Sequence, residues 1–220
     1  MKQYNESIKI SSENLFDERL KKAVRHLKRN DKKLAEVIEK VGHCTLKPQT
    51  DPFESIIDAI ISQQLSMYAA QAIFNRFLNY FTPKNFPEPE DIIKANTEDL
   101  RQIGISYAKI RSIKDLSEKV LAGEIHLEKF NELSDEEIIN ELIRVKGIGR
   151  WTAHMFLIFS LGRMNVLPTE DLGIRKGIQK LYRLRNLPDE KKVKLIAQKN
   201  NWSPYCSIAS WYIWRSLELK

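Results

Sequence analysis

The sequence predicts an all-α fold. Apolar residues recur with the helical period of three to four residues in almost every segment of the 220-residue chain, and no strand-like alternation is sustained. A share of 42% apolar residues is enough for a substantial core, which argues against an intrinsically disordered protein. The longest apolar stretch, residues 155–161, is far shorter than the ~20 residues that span a bilayer, so we expect no membrane segment.

The first 90 residues predict four helices and a loop. We expect these helices at residues 16–29, 34–42, 52–62 and 66–80. In the first helix, one face carries Phe16, Leu20, Val24 and Leu27 and the other is basic. A proline-containing connector precedes Pro52, which opens the third helix. Three prolines between residues 81 and 90 predict the loop.

The rest of the chain predicts shorter helices. We expect them at residues 89–95, 97–103, 107–122, after Ser134, and from about Arg150. Ser134 and Glu137 have the spacing of a capping box, and apolar residues continue the helical period after them until about Val145. No internal repeat and no low-complexity segment interrupts this pattern, so the elements belong to an ordinary helical protein.

Charge and cysteine content limit the kinds of site. Lysine and arginine outnumber the acidic residues by 36 to 29, and this net charge of +7 favours a polyanionic partner without identifying one. Cys44 and Cys206 are too few for a disulfide framework or a four-thiolate metal site. The four histidines show no ligand spacing, so we expect no catalytic metal and no cofactor. The first 16 residues lack the apolar core of a secretory signal, which favours the cytoplasm.

The sequence KGIGR, residues 146–150, predicts a tight turn between two helices. Gly147 and Gly149 permit positive φ and leave no Cβ on the turn, so that another backbone can approach closely. Ile148 between them suits the apolar seam of the helix pair, and the unpaired N–H groups of the second helix favour an anion. With the charges of Lys146 and Arg150, the turn predicts a clamp for a phosphate backbone. The alternative is a plain helical turn with a glycine cap.

The turn and the helix that follows it, GIGRWTA, resemble the helix–hairpin–helix of the base excision DNA glycosylases of the HhH-GPD superfamily. In this family a Gly/Pro-rich loop and a catalytic aspartate follow the hairpin, and Asp171 stands at the matching position here. The resemblance implies that residues 146–150 and Thr152 bind DNA. Lys146 departs from the proline that is frequent in the family. Without the hairpin, Asp171 would be interpreted as an acid at a helix N-terminus, and Glu170 is the fallback carboxylate.

Several motifs resemble one branch of this family, the AlkA-type 3-methyladenine DNA glycosylases. Residues 51–73, 100–116 and 202–215 are similar to its QQ-x-S segment, its second helix pair and its closing helix, in which Cys206 replaces a usual arginine. Trp151 stands where bifunctional members carry a Schiff-base lysine, which implies a monofunctional hydrolase without lyase activity. The chain has no room for the additional N-terminal α/β domain of some members, so we expect the compact all-helical form.

The resemblance also implies a base pocket and a wedge. Trp151, Trp214 and Met155 match pocket positions, where aromatic faces would attract a flat cationic purine. For each tryptophan the alternative is core packing. Gln64, with Gln63 and Leu65 beside it, matches the wedge that fills the gap left by a flipped nucleotide; the alternative is that the two glutamines cap helices. A monovalent cation on the hairpin carbonyls is a further feature of the family.

Together these features predict two helical lobes with an active-site cleft between them. One lobe comprises residues 52–165, with the helix–hairpin–helix at about 136–161, and the other comprises 1–51 with 166–220. The expected function is hydrolytic excision of alkylated purines such as 3-methyladenine and 7-methylguanine from double-stranded DNA by a monomer, in the nucleoid or the nucleus. The alternatives are a glycosylase for uracil or hypoxanthine and a non-catalytic DNA-binding module.

Overall fold

The computed structural model describes the backbone of residues 2–49 and 51–219, with all of their side chains except those of residues 2–13 and 67. These residues form α-helices and no β-strand, which confirms the predicted fold class. The α-helices are α1 (Lys2–Asn30), α2 (Lys32–Val41), α3 (Pro52–Ser62), α4 (Met67–Tyr80), α5 (Pro89–Lys94), α6 (Thr97–Gln102), α7 (Tyr107–Leu121), α8 (Asp135–Leu142), α9 (Arg150–Met155), α10 (Leu172–Tyr182), α11 (Glu190–Lys199) and α12 (Cys206–Ser216). A 3-10 turn, Leu127–Lys129, precedes α8, and a π-helical stretch, Phe156–Ser160, continues α9.

The predicted helices from the second onward are confirmed to within a few residues at each end. The first is longer than predicted, since α1 begins at Lys2 rather than at residue 16. Residues 2–15 lack the apolar period by which a sequence marks a buried helix face, so the prediction found only the part of α1 that carries one. The connector before α3 and the loop between α4 and α5 are also confirmed.

Side-chain caps fix the helix starts that the sequence marks. Asp51 accepts hydrogen bonds from the amides of Phe53 and Glu54 and so caps α3. Ser134 and Glu137 form the predicted capping box at the start of α8. These caps satisfy N–H groups that have no partner within their own helices, so each start is fixed to one residue.

The chain divides into two compact units. The terminal unit contains residues 1–46 and 163–220, and the central unit contains residues 47–162. The sequence places the division a few residues later, at 51/52 and 165/166. No helix among the described residues is long and apolar enough to cross a membrane.

The terminal unit is built from α1, α2, α10, α11 and α12. Its core includes Leu20, Leu27, Leu34, Ile174, Ile178, Val193, Trp202, Ile208 and Tyr212, all buried. Asp31 is also buried and caps α2 through the amides of Lys33 and Leu34. Its second oxygen accepts hydrogen bonds from Trp202 Nε1 at 2.8 Å and from the Tyr182 hydroxyl. This carboxylate therefore joins the start of α2 to the end of α10 and to the segment before α12.

The central unit is built from α3 to α9 and the π-helical stretch. Its core includes Ile56, Ile57, Ile60, Ile61, Phe77, Ile113, Leu116, Ile138, Leu142, Phe156 and Leu157. Helix α3 supplies four of these isoleucines and packs against α4, α7, α9 and the π-helical stretch. Because α3 and α7 both reach the turn before α9, side chains from both helices determine the conformation of that turn.

Candidate nucleic-acid interface and active site

The predicted hairpin lies between α8 and α9, and its two glycines differ in conformation. Gly147 has φ of 79°, in the left-handed region that favours glycine. Gly149 has φ of −99° and ψ of 174°, which any residue adopts, so only Gly147 of the two uses the positive φ that glycine permits. A Cβ at Gly149 would meet nothing within 4 Å. An external backbone can therefore approach the turn at this position.

Gly147, in contrast, faces the protein. A Cβ at this position would lie 2.3 Å from the Oγ of Ser112 on α7. Since real Cβ contacts are not that short, a side chain at Gly147 would displace either the turn or Ser112. Gly147 thus allows the hairpin to pack directly against α7, whereas open space surrounds the outward side of Gly149.

A buried carboxylate anchors the hairpin from α7. Asp115, only 4% exposed, accepts a hydrogen bond from the Lys146 amide at 2.9 Å. Its other oxygen lies 3.1 Å from Lys146 Nζ and 3.2 Å from Lys119 Nζ. Burial disfavours the charged form, but the hydrogen bonds from Lys146 and Lys119 outweigh it and hold the pKa of Asp115 below its usual value. Asp115 therefore fixes the first residue of the turn.

Gln63, at the end of α3, supports the turn from the opposite end. Its Nε2 donates to the Gly147 carbonyl at 3.2 Å and to Thr152 Oγ1 at 3.1 Å. The Thr152 side chain is buried, so it supports the hairpin from within, and the predicted contact of this residue with DNA stays a prediction. The Gln63 amide occupies one of the two lone pairs of the Gly147 oxygen, so an implied cation would share this carbonyl with a hydrogen bond.

The other predicted hairpin residues divide into a plug and two paired cations. Ile148 is buried, as expected of a residue in the apolar seam. Arg150 forms two hydrogen bonds with Glu136, at 2.6 and 3.0 Å, and Lys146 is paired with Asp115. Both cations flank the turn as predicted, but each lies beside a carboxylate, and Lys146 shares Asp115 with Lys119. The charge of the hairpin is therefore smaller than its sequence indicates.

The predicted wedge lies in the turn between α3 and α4. Gln64 is exposed and has φ of 57°, an uncommon conformation for a residue other than glycine. Leu65 beside it is 38% exposed. Lys109 Nζ donates to the carbonyls of Ile61 and Gln63, which holds the base of this turn. Gln64 and Leu65 thus project from a supported turn, whereas Gln63 is bonded to the hairpin.

A small cavity in the central unit contains the predicted pocket residues Trp151 and Met155. Its volume is about 200 Å³, and Phe159 and Asp58 also line it. Trp151 is 41% exposed, so its ring is open to solvent. Burial raises the pKa of Asp58 above its usual value, and the hydrogen bond from Ser62 lowers it only partly. The cavity combines aromatic, thioether and carboxylate groups.

In the terminal unit, Asp171 caps α10, as predicted. Its Oδ1 accepts a hydrogen bond from the Ile174 amide at 2.7 Å and another from Trp214 Nε1 at 2.9 Å. Trp214, expected to line a base pocket, is thus a direct partner of the carboxylate. Two N–H donors at one oxygen stabilise the negative charge and fix the plane of the carboxylate.

Two glycines of α10 make the contact between Trp214 and Asp171 possible. A Cβ at Gly173 would lie 3.0 Å from Asp171 Oδ1 and 3.1 Å from Trp214 Nε1. A Cβ at Gly177 would lie 2.4 Å from Ile213 Cγ2. These glycines let α10 approach α12 closely enough for the indole to reach the carboxylate.

A comparison with known families agrees with this arrangement, in which a helix–hairpin–helix is followed by a capping aspartate. The family model that describes HhH-GPD superfamily base excision DNA repair proteins matches residues 57–202. This range includes the hairpin, Trp151 and Asp171. The chain belongs to the HhH-GPD superfamily.

Several similar HhH-GPD proteins have names that refer to alkylated bases. DNA-3-methyladenine glycosylase 1 of Schizosaccharomyces pombe is 39% identical over 206 residues, which cover 91% of this chain and 89% of its own. The alkylbase DNA glycosidase-like protein of the same yeast is 34% identical over 203 residues, with coverage of 90% and 94%.

Solved structures give the same family. The 3-methyladenine DNA glycosylase of Schizosaccharomyces pombe in complex with abasic DNA has a TM-score of 0.81 and 39% identity, over 90% of this chain and 97% of that one. A DNA-3-methyladenine glycosidase from Bacillus halodurans has a TM-score of 0.75 and 34% identity, over 88% of each chain.

The residues that support this hairpin and its capping aspartate were not among those predicted from the sequence. Asp115 and Ser112 of α7 hold the turn, and Gly173 admits the Trp214 indole. A signal existed for Asp115, which is an acid among the buried residues of α7. Gly173, two residues after Asp171, is an unfavourable residue inside a helix and so a sign of close approach.

Proposed function

We propose that this protein is a monofunctional DNA glycosylase that hydrolytically releases alkylated purines from double-stranded DNA and leaves an abasic site. The observation that carries the proposal is the carboxylate of Asp171, held at the start of α10 by the Ile174 amide and Trp214 Nε1 in a member of the HhH-GPD superfamily. The names of the similar proteins support alkylated bases as the substrate class. We expect the protein to act as a monomer on nucleoid or nuclear DNA.

In the proposed reaction, Asp171 stabilises the sugar as the base departs. Cleavage of the glycosidic bond leaves the electron pair on the base and a positive charge on the deoxyribose. A fixed carboxylate stabilises this developing charge without reorganising. Water then adds to C1′ of the sugar and gives up a proton, so that the products are the free base and an abasic site. An alkylated purine that is already cationic leaves as a neutral base and needs little help from a general acid.

The residue at position 151 supports hydrolysis over lyase chemistry. A lyase needs an amine that forms a Schiff base with the sugar, and the indole of Trp151 has no nucleophilic amine. Trp151 instead lines the cavity of the central unit with Met155, where its exposed ring can stack on a flipped base. Gln64 and Leu65 are the proposed wedge that fills the vacated position in the duplex.

Binding of the DNA backbone is assigned to the hairpin. Open space at Gly149 lets a phosphate approach the amides at the start of α9. Because the cations of Lys146 and Arg150 are already paired with carboxylates, the proposed contact depends on backbone amides as much as on charge. Such a contact positions DNA and carries no base sequence information.

Chromatographic identification of the bases released from methylated duplex DNA tests this function. We expect free 3-methyladenine and 7-methylguanine, with strand breaks only after treatment with alkali. Release of uracil or hypoxanthine alone, from matched duplexes, would identify a different lesion. Tight binding of damaged DNA without release of any base would identify a non-catalytic binding module. Strand breaks without alkali would contradict the monofunctional mechanism.

A further inference from the structure

The cavity of the central unit contains a carboxylate that the proposed chemistry does not use. Asp58 lies on α3 and lines the cavity together with Trp151 and Met155. Ser62 Oγ, one helical turn later, donates to Asp58 Oδ1 at 3.1 Å. The cavity volume of about 200 Å³ is smaller than the about 300–1,000 Å³ of pockets that hold drug-sized ligands. It therefore suits a smaller ligand, such as one flat bicyclic ring.

Within the part of the chain that the structure describes, Asp58 makes no ion pair with a lysine, arginine or histidine. Partly buried carboxylates usually have such a partner, because removing a charge from water is costly. Burial is also the largest influence on the pKa of Asp58, which it raises, and no nearby cation opposes it. No lysine, arginine or histidine is among the described residues that line the cavity, although its aromatic rings and its carboxylate would both attract a positive charge.

We propose that Asp58 determines specificity by selecting cationic purines from among flipped bases. This inference rests on the proposed function, because it assumes that a base enters this cavity. A 7-methylguanine or 3-methyladenine nucleotide carries its positive charge on the ring, whereas hypoxanthine and undamaged purines are neutral. The Asp58 carboxylate attracts the charged ring by its opposite charge, and the face of the tryptophan ring attracts it by a cation–π contact. Both groups line the same cavity, so it favours the charged ring in two independent ways.

The charge of Asp58 affects binding of the flipped base rather than cleavage of the glycosidic bond. The base is cationic before the glycosidic bond breaks and neutral afterwards, so the Asp58 charge stabilises the flipped substrate more than the transition state. Removing that charge weakens capture of the cationic base but does not slow the chemical step. This split distinguishes Asp58 from Asp171, whose charge acts on the sugar.

Single-turnover release of 7-methylguanine, measured over a range of enzyme concentrations, tests the inference. We expect Asp58→Asn to raise the half-saturating concentration about tenfold, which corresponds to ~1.4 kcal/mol, with an unchanged or faster rate at saturation. Glu54→Gln is the matched control, since it removes the same charge from the same helix one turn away and outside the cavity lining. Its half-saturating concentration should stay at the wild-type value.

Competition by free bases provides a readout that does not depend on which lesion is cleaved. The 3,9-dimethyladenine cation and neutral 9-methyladenine differ by one methyl group and one charge. The wild type should be inhibited more strongly by the cation than by the neutral base. In Asp58→Asn the ratio of the two inhibition constants should be about tenfold smaller.

The outcomes separate the two proposals. A normal far-ultraviolet circular dichroism spectrum of Asp58→Asn shows that the variant is folded. If the wild type releases 7-methylguanine but Asp58→Asn keeps both its half-saturating concentration and its preference for the cation, the role of Asp58 is refuted and the glycosylase function stands. An equal loss in Glu54→Gln would likewise refute it. If the wild type releases no base, the proposed function itself fails.

Discussion

Substitution of Gly147 by alanine tests how the hairpin is held. The change adds a single methyl group to a residue with φ of 79°, and the new Cβ would lie 2.3 Å from Ser112 Oγ. It therefore imposes two separate penalties, one from the backbone conformation and one from the contact with α7. The next Ser112 atom, Cβ, would be 3.4 Å away, which is an ordinary contact.

Each penalty has a magnitude. Left-handed backbone costs an alanine roughly 1–2 kcal/mol. The overlap can be relieved by rotating the Ser112 hydroxyl, which breaks its 3.0 Å hydrogen bond to the Ala108 carbonyl, or by shifting the turn. Either response costs about 1–2 kcal/mol, within the range known for lost hydrogen bonds and overpacking. Gly147→Ala should thus lower the free energy of unfolding by about 2–4 kcal/mol.

Urea denaturation followed by circular dichroism measures the total, and a double-mutant cycle with Ser112→Ala separates the two parts. Ser112→Ala removes the clashing oxygen, so the double variant should recover the contact penalty of about 1–2 kcal/mol and keep the backbone penalty. Fluorescence anisotropy with an undamaged duplex should show weaker binding by Gly147→Ala and partial recovery in the double variant. The two sites are independent if the effects simply add.

Two results would refute this reasoning. Gly147→Ala with wild-type stability would mean that neither the positive φ nor the contact with Ser112 constrains the turn. If Ser112→Ala recovers none of the lost stability, the whole loss comes from the backbone conformation of residue 147. The contact with α7 would then not constrain the hairpin.

Three further substitutions test other parts of the site. Trp214→Phe removes the N–H that donates to Asp171. It should slow single-turnover base release at least about tenfold, since hydrogen bonds to charged groups contribute about 1.5–3 kcal/mol. An unchanged rate would show that the indole N–H is dispensable. Gly149→Ala should change the free energy of unfolding by less than about 0.5 kcal/mol, yet weaken binding of damaged and undamaged duplexes alike in anisotropy titrations. Weakening for damaged DNA alone would contradict a backbone contact. Asp115→Ala raises the net charge by one, so charge alone predicts tighter DNA binding. We expect weaker binding instead, because the substitution releases the Lys146 amide. Tighter binding would show that Asp115 does not position the turn.

Local patterns account for what the sequence predicted well. The glycine spacing of the hairpin, the capping box at Ser134 and the capping aspartate at 171 are each contained within a few residues. Such features follow from backbone rules that act over one helical turn. They were sufficient to predict an all-α protein, the hairpin and the carboxylate at the start of α10.

The supports of the site were not predictable in the same way. The Asp115 carboxylate reaches a residue 31 positions away, Gln63 reaches Gly147 over 84 positions, and Trp214 reaches Asp171 over 43. Helical periodicity indicates which face of a helix is buried, but it does not indicate which polar side chain on that face meets a given turn. Contacts of this kind depend on the tertiary arrangement within each unit.

The same limitation affects the charge of the hairpin. The sequence shows Lys146 and Arg150 beside the glycines and so predicts a strongly positive turn. In the structure, Asp115 and Glu136 pair with these cations, and each acid comes from a different helix. The count of basic residues in the motif therefore overestimates the charge available for the proposed phosphate contact, and the amides at the start of α9 become more important for it.

The central claim is that Asp171 stabilises the sugar cation during base release. Its most direct test is single-turnover release of 7-methylguanine from a defined duplex by the wild type and by Asp171→Asn, at saturating enzyme, with DNA binding measured in parallel. We expect the rate to fall about a hundred- to a thousandfold while binding stays at the wild-type level, because the charge is lost but the shape is kept. An undiminished rate would contradict the claim, and so would a rate loss that weaker binding fully explains.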